Sequence, residues 1–376
     1  MKKISLYIHI PFCKQKCMYC DFPSFCGKDT LMERYIDALI KEIKEKASKY
    51  YISTIFIGGG TPTYLHLNEL EKLLNAVNTL NLSNNIEFTV ECNPGTLTEE
   101  KLNLMKSKGV NRLSIGLQAY QEELLKRIGR IHSFEDFKEN YLLARSVGFK
   151  NINVDLMFGL PNQKVEQWKE TLEKVLLLQP EHISAYSLIV EEGTIFYKLY
   201  ENDKLSLPSE DDEREMYRIT LQVLKNRGYH QYEISNFSKQ GKECRHNIVY
   251  WELEEYLGCG SAAASYIEGT RYKNFESIED YIKAVEDDEK TFNEVIVNTK
   301  EDDMEEFVFM GLRKTQGISE EKFYKKFGIK IEKIYKTVIN KHIAEGLLIK
   351  NGGKIYLSNK GIELSNYVMS DFILTL

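Results

Sequence analysis

The chain has 376 residues, long enough for one large domain and a smaller companion. Hydrophobic residues make up 43% and charged residues 28%, the balance of an ordinary globular protein. A formal net charge of -6 argues against a nucleic-acid or membrane-surface protein, and no apolar run reaches the ~18–20 residues a spanning helix needs.

The first thirteen residues, MKKISLYIHIPFC, carry two lysines but no long apolar core and no small-residue cleavage site. They read as a first strand rather than a signal peptide. The stretch CKQKCMYCDF follows, with Cys13, Cys17 and Cys20 spaced C-x3-C-x2-C and Phe22 where a fourth cysteine might sit. Zinc sites usually close with four ligands, so a zinc reading needs a distant partner such as His9. Seven cysteines is an odd count, unlike a secreted disulfide framework, and places the protein in a reducing cytoplasm. Cys26, Cys92, Cys244 and Cys259 are scattered and read as small buried hydrophobes or free thiols.

Strands are expected at 5–10, 54–59, 86–91, 112–117, 151–157 and 182–188, with amphipathic helices such as 31–47 and 134–147 between them. The strands are apolar on both faces, as a parallel sheet covered by helices requires. The expected fold for residues 1–190 is an α/β, incomplete (β/α)6 barrel with its chemistry at the C-terminal strand ends. A doubly wound sheet has the same pattern. Residues 191–299, with an acidic helix at 209–228 and then an irregular Tyr-, Asn-, Ser- and Gly-rich stretch, read as a barrel extension. Residues 300–376 change grammar: three helical runs, two short strands around an NGG turn and one last helix over 359–374 form an α+β winged-helix-like domain. Residues 301–376 hold 12 Lys/Arg against 11 Asp/Glu, so the wing lacks the basic surplus of a DNA-binding module and reads as an interaction or packing unit.

Three thiolates can hold three irons of a four-iron cluster and leave one iron open. With GGGTPTYL, ECNPGT, NRLSIGLQAYQEELLKRIGRIH and NVDLMFGLPNQ, the segment YIHIPFCKQKCMYCDF resembles the oxygen-independent coproporphyrinogen III oxidase-like branch of the radical S-adenosylmethionine (SAM) proteins. The resemblance runs in register from about residue 5 to 265. It implies a [4Fe-4S] cluster on Cys13, Cys17 and Cys20, with SAM chelating the open iron. It further implies SAM contacts from the Gly58-Gly59-Gly60 strand end with Thr61, from Glu91 beside Asn93, and from Gln118, Arg130 and Asp155. Tyr7 aligns near the cofactor, Ala264 with the adenine, and Phe22 packs over the cluster loop. His132 reads as structural. Taken singly, each polar residue could be a satisfied structural group; at successive strand ends they define one site.

Two readings compete within this branch. The oxidases decarboxylate coproporphyrinogen III and typically carry a fourth cysteine two residues after the third, with an extension before the cluster loop. Here Phe22 takes that position and the first motif cysteine is already residue 13. Moreover, His246-Asn247-x-x-Tyr250-Trp251 matches the H-N-x-x-Y-W motif of HemW-type haem chaperones. Histidine is a natural axial ligand for haem iron, and Tyr250 and Trp251 offer flat apolar surface to a macrocycle. The same segment occurs in varied form in the oxidases, so His246 could instead line a porphyrinogen pocket or pack structurally. The resemblance implies a chaperone that binds haem near the cluster end and passes it to an apoprotein acceptor, with an electron donor as a further partner. The alternatives are the oxidase or another radical SAM porphyrin or haem enzyme.

Overall fold

A computed structural model describes residues 1–374. Strands β1 (Lys3–Ile10), β2 (Tyr51–Gly59), β3 (Asn81–Cys92), β4 (Arg112–Gln118), β5 (Ile152–Phe158) and β6 (His182–Ser187) lie side by side in chain order, all parallel. Between them run α1 (Met32–Ala47), α2 (Leu67–Val77), α3 (Glu99–Ser107), α4 (Glu122–Arg127), α5 (Phe134–Ser146) and α6 (Val165–Leu176). The helices form where apolar residues recur at three- and four-residue steps: α1 buries Met32, Tyr35, Ile36, Leu39 and Ile43. Their starts carry local signals as well, such as the reciprocal Ser133–Asp136 capping box of α5.

Successive side chains of a strand point to opposite faces, so each strand feeds two environments. Leu6, Ile8, Ile55, Ile57, Leu113 and Ile115 join the apolar core with the helices. The alternate residues are polar yet equally buried: Ser5, Thr54, Glu87, Arg112, Asn153 and His182 are all under 10% exposed. Thr54 bonds to Ser5 and Asn153 to His182, while Glu87 accepts the main-chain N–H groups of Arg245 and His246. Asn153 Nδ2 donates to Ser114 Oγ and Asp155 Oδ1, both at 2.7 Å. Its Oδ1 accepts from His182 Nδ1 at 2.6 Å, and His182 Nε2 accepts from the Tyr232 hydroxyl at 2.8 Å.

After α7 (Ile195–Tyr200) and α8 (Glu210–Asn226), the sheet continues on both edges. β7 (His230–Gln231) and β8 (Asn236–Ser238) pair antiparallel beyond β6, and α9 (Arg245–Trp251) follows. β9 (Tyr256–Cys259) lies parallel to β1 at the opposite edge, and β10 (Ala264–Ile267), β11 (Thr270–Asn274) and β12 (Phe292–Val297) extend it antiparallel. Between β11 and β12, α10 (Ile278–Glu286) packs on α1. The sheet therefore has twelve strands, six of them outside the parallel units. These edge strands are two to six residues long and depend on long-range pairing, so local periodicity does not announce them.

The C-terminal domain comprises α11 (Lys300–Leu312), β13 (Ile318–Ser319), α12 (Glu320–Phe327), α13 (Ile331–Ala344), β14 (Leu348–Asn351), β15 (Lys354–Leu357), α14 (Asn359–Glu363) and α15 (Ser365–Ser370). Phe307, Phe323, Phe327, Tyr335 and Phe372 form its own core. Two details differ from expectation. The wing has a third strand, β13, beside β15. The single last helix is two, interrupted at Leu364, whose φ of -113° and ψ of 29° leave the helical region. Among the described residues no helix is long and apolar enough to cross a membrane.

Candidate functional site

The cluster loop leaves β1 at Ile10 and is stitched down by main-chain bonds. Cys13 N–H donates to Phe25 O at 3.0 Å and Phe25 N–H to Pro11 O at 2.7 Å. The end of β2 is tied to the loop by Gly60 N–H to Ile10 O (2.8 Å) and Thr61 N–H to Phe12 O (2.9 Å). Met18 N–H reaches Ile128 O at 3.0 Å, after α4, and Met18 O accepts from Phe196 N–H of α7 at 3.0 Å. Gly60 has no alternative: a Cβ there would lie 2.8 Å from Phe12 O and 2.9 Å from Ile10 O.

This scaffold opens a cavity of about 460 Å³ that collects most of the expected residues. Cys13, Cys17 and Cys20 line it from the loop; Gly59, Gly60, Thr61, Glu91, Asn93, Gln118, Arg130 and Asp155 line it from the strand ends and the turn after α4. Glu91 Oε2 accepts the Gly59 N–H at 3.1 Å, and Asn93 Nδ2 donates to Thr61 Oγ1 at 2.9 Å. Arg130 donates to Gly116 O at 2.5 Å and approaches Cys17 Sγ at 3.5 Å. The strand end at Gln118 is turned by a left-handed φ of 74°, an uncommon conformation outside glycine.

Tyr19, Ser114, Met157 and Tyr186 also line the cavity, and sequence reasoning passed them over. Period-two alternation flags three of them, since Ser114, Met157 and Tyr186 continue the inward-facing sets of β4, β5 and β6. At the mouth Phe22 and Ile189 are 57% and 66% exposed, so Phe22 rims the cavity rather than sealing the loop.

The cavity suits a cationic, metal-bearing occupant. Burial pushes the thiols of Cys13 and Cys20 up, Cys20 to about 11, so iron must displace their protons on binding. Burial, with Asp155 as a repelling neighbour, raises Glu91 to about 8, and burial raises Asp155 too. A cation nearby relieves buried carboxylates by favouring their ionised forms. The Arg130 guanidinium, whose Nε has no partner, places a fixed positive charge beside Cys17. Three free cysteines, a glycine strand end with no room for Cβ and two buried carboxylates with raised pKa values fit a [4Fe-4S] cluster with SAM.

Several expected residues lie elsewhere. Tyr7 stands one layer down, its hydroxyl 3.0 Å from His9 Nδ1, while His9 Nε2 donates to Pro23 O at 2.8 Å. With both ring nitrogens engaged, His9 is unavailable to complete a zinc site. His132 Nε2 donates to Leu117 O at 3.2 Å, a structural placement. Ala264 is exposed on β10, separated from β1 by β9 and away from the cavity, because the segment after β9 folds back antiparallel.

His246 departs furthest from the expectation of an open haem ligand. It is 1% exposed, buried from α9 into the polar face of the sheet, with Nδ1 2.8 Å from Thr54 Oγ1 and Nε2 2.9 Å from the Tyr250 hydroxyl. Burial, then the nearby Arg112 charge, lowers its pKa to about 3. Thr54 donates onward to Ser5, so Nδ1 carries the proton and the Nε2 lone pair is taken by Tyr250. Trp251 faces the C-terminal domain, with the Arg313 guanidinium 4.6 Å from its ring centroid. In this arrangement none of the three presents itself to an incoming haem.

A parallel-stranded part-barrel with three loop cysteines at its C-terminal end defines the radical SAM class, and residues 7–175 match the Radical SAM superfamily model. Residues 298–364 match the HemN C-terminal domain. The heme chaperone HemW of Bacillus subtilis is 41% identical over 98% of this chain and 99% of its own length. That of Lactococcus lactis is 41% identical over 99% and 98%. A mitochondrial radical S-adenosyl methionine domain-containing protein 1 from Danio rerio is 36% identical over 69% of this chain and 59% of its own. Among solved structures, Escherichia coli coproporphyrinogen III oxidase (HemN) superposes with a TM-score of 0.87 at 23% identity, covering 100% of this chain and 91% of that one, which shows the shared fold. The chain belongs to the HemW haem-chaperone family of radical SAM proteins.

Proposed function

We propose that this protein is a haem chaperone: it binds haem and hands it to an apoprotein acceptor, while holding a [4Fe-4S] cluster and SAM in the cavity at the strand ends. The observation that carries this reading is the likeness to the haem chaperones along the whole chain, at 41% identity.

Cys13, Cys17 and Cys20 would hold the cluster as thiolates, and Gly59, Gly60, Thr61, Glu91, Gln118, Arg130 and Asp155 would hold SAM. Bound together, cluster and SAM supply reductive radical chemistry in this class. Glu91 accepts one backbone N–H and keeps its other oxygen for a ligand donor. Arg130 ties the turn after α4 to β4 through Gly116 O and to the cluster loop through Cys17. The Pro23 carbonyl sets the tautomer of His9, Tyr7 donates to its Nδ1, and the ring props the back of Gly59.

In this reading haem would sit at the cluster end, supported by the apolar rim that Phe22, Tyr186 and Ile189 give the cavity mouth, with Lys16 beside it. Flat apolar surface next to a cation suits a macrocycle carrying carboxylates. His246, Tyr250 and Trp251 would take part only after α9 moves. An apoprotein acceptor and an electron donor are the partners this reading calls for. Seven free cysteines suit a reducing cytoplasm.

The test is an anaerobic haem titration of the cluster-reconstituted protein, following the Soret band. Saturation near one haem per chain supports the chaperone. Absence of saturable binding, with turnover of coproporphyrinogen III instead, replaces it with the oxidase.

A further inference from the structure

The α9 segment bearing His246, Tyr250 and Trp251 lies outside the cluster cavity, and its contacts run in two directions. We infer that α9 is a latch that fixes the C-terminal domain to the barrel, gripping the sheet interior with Glu87 and His246 and the C-terminal domain with Trp251 and Glu252.

The inner grip starts at β3. The buried Glu87 carboxylate takes the N–H of Arg245 at 3.0 Å on Oε2 and that of His246 at 2.9 Å on Oε1. Both oxygens thus satisfy backbone donors of the first helical turn that have no partner within the helix. The Arg245 guanidinium donates to Asn85 O at 2.7 Å and Ser53 O at 3.3 Å. The imidazole of His246 links Thr54 of β2 to Tyr250 one turn along the same helix. β2 and β3 are therefore clamped together by one short helix.

The outer grip begins at the next residue. Arg313, just past α11, stacks on the Trp251 ring, while Glu252 takes Lys314 and, at 2.5 Å, Lys322 of α12. Lys326 donates to Leu253 O at 2.9 Å. Leu253 then turns the chain with a left-handed φ of 49° and buries its side chain in the C-terminal core. A leucine held in that conformation is strained, and the surrounding packing sustains it.

The α9 contacts share the joint with the 231–234 segment, where Ile234 N–H donates to Arg313 O at 3.0 Å and Thr315 N–H to Tyr232 O at 3.1 Å, and with β10 and β11, where Tyr266 meets Asp303 and Arg271 meets Glu306. Trp251 Nε1, Arg313 Nε and Glu233 Oε2 are buried without partners, and the Arg313–Glu233 separation is 3.9 Å. The stack and the Glu252 ion pairs are the share of that attachment that α9 makes, and within it Trp251 and Arg313 act as one unit. This assignment stands whether or not the chain carries haem, and it gives the H-N-x-x-Y-W segment an architectural task.

The experiment is hydrogen exchange by mass spectrometry on the full chain, comparing Trp251→Ala, Arg313→Ala and the double variant, with a haem titration on each. Exchange in α11 and the β13–β15 sheet should quicken about tenfold in both single variants, with the double variant no faster than the worse single. Trp251→Phe, which keeps an aromatic face for the guanidinium, should restore most of the protection. The Soret band should keep its position throughout. Unchanged C-terminal exchange in the single variants, or a Trp251→Ala variant that loses the Soret band while Arg313→Ala does not, overturns the latch. Because Arg313 belongs to the far side of the joint, its variant reads the coupling even if changes at His246 prevent folding.

Discussion

Glu91 and Gly59 hold each other across the ends of adjacent strands: the carboxylate takes the glycine N–H at 3.1 Å while burial and Asp155 raise its pKa to about 8. The raised value makes Glu91 a pH-dependent element of the unloaded fold. Between the ordinary carboxylate range and pH 8 the folded chain keeps a proton that the unfolded chain has released. Stability therefore falls as pH rises through that window, by on the order of 4 kcal/mol if the shift is fully expressed. Thermal melts of apo protein between pH 7 and pH 8, above the range where the lowered His9, His132, His182 and His246 pull stability the opposite way, should show the decline, and Glu91→Gln should flatten it. An equally steep decline in Glu91→Gln would assign the effect elsewhere.

Ligand binding should reverse the same balance. A cationic group near Glu91 favours its ionised form, so SAM binding at pH 7 should release a proton. Calorimetry in two buffers of different ionisation enthalpy measures that proton directly, and buffer-independent heats would contradict it.

Cys17→Ala should abolish the brown absorbance of a reconstituted four-iron cluster, because one of the three cavity-lining thiols on the loop after β1 is gone. Cys26→Ala, whose thiol is exposed and off the cavity lining, should retain it. Iron and sulfide analysis separates the two. A full cluster in the Cys17 variant would unseat the ligand assignment.

Gly59 sits at a φ of 107° with the His9 ring directly behind the position a Cβ would take. Gly59→Val should therefore weaken SAM binding tenfold or more by moving the strand end and His9, while iron content stays near wild type. Equal SAM affinity in the variant would remove this glycine from the site.

His246→Ala removes a ring that satisfies Thr54 and Tyr250, leaving both hydroxyls without that partner in a buried space. A loss of about 2–4 kcal/mol is expected in denaturant unfolding. The Soret maximum of the haem complex should not shift, since the imidazole is not an open ligand in this arrangement. A displaced Soret band with unchanged stability would return the haem ligand to His246.

The parallel units and the cluster loop were legible in the sequence because their signals are local. The six strand stretches from SLYIHI to HISAYSL and the cysteine spacing all sit within single elements, and the quoted motifs fall at strand ends. What stayed hidden depends on the third dimension. Tyr256–Cys259 gives no local hint that it pairs with β1, some 250 residues earlier. His246 shows the opposite failure. A histidine beside two aromatics has the composition of a haem ligand, but composition does not say which way a helix turns. Glu87, a buried carboxylate on β3, fixes that direction, and nothing in its sequence neighbourhood advertises the role.

The hydrogen-bonded polar face of the sheet also bears on how this sequence can drift. Asn153, His182 and Tyr232 are bonded in series, each supplying what the next lacks. Replacing any one strands its neighbour in a dry interior, at about 1–3 kcal/mol per orphaned group. An apolar layer would tolerate a methyl gained or lost one residue at a time. Here an acceptable exchange has to arrive as a matched set, so variation at these positions should come in blocks, with long periods of no change between them.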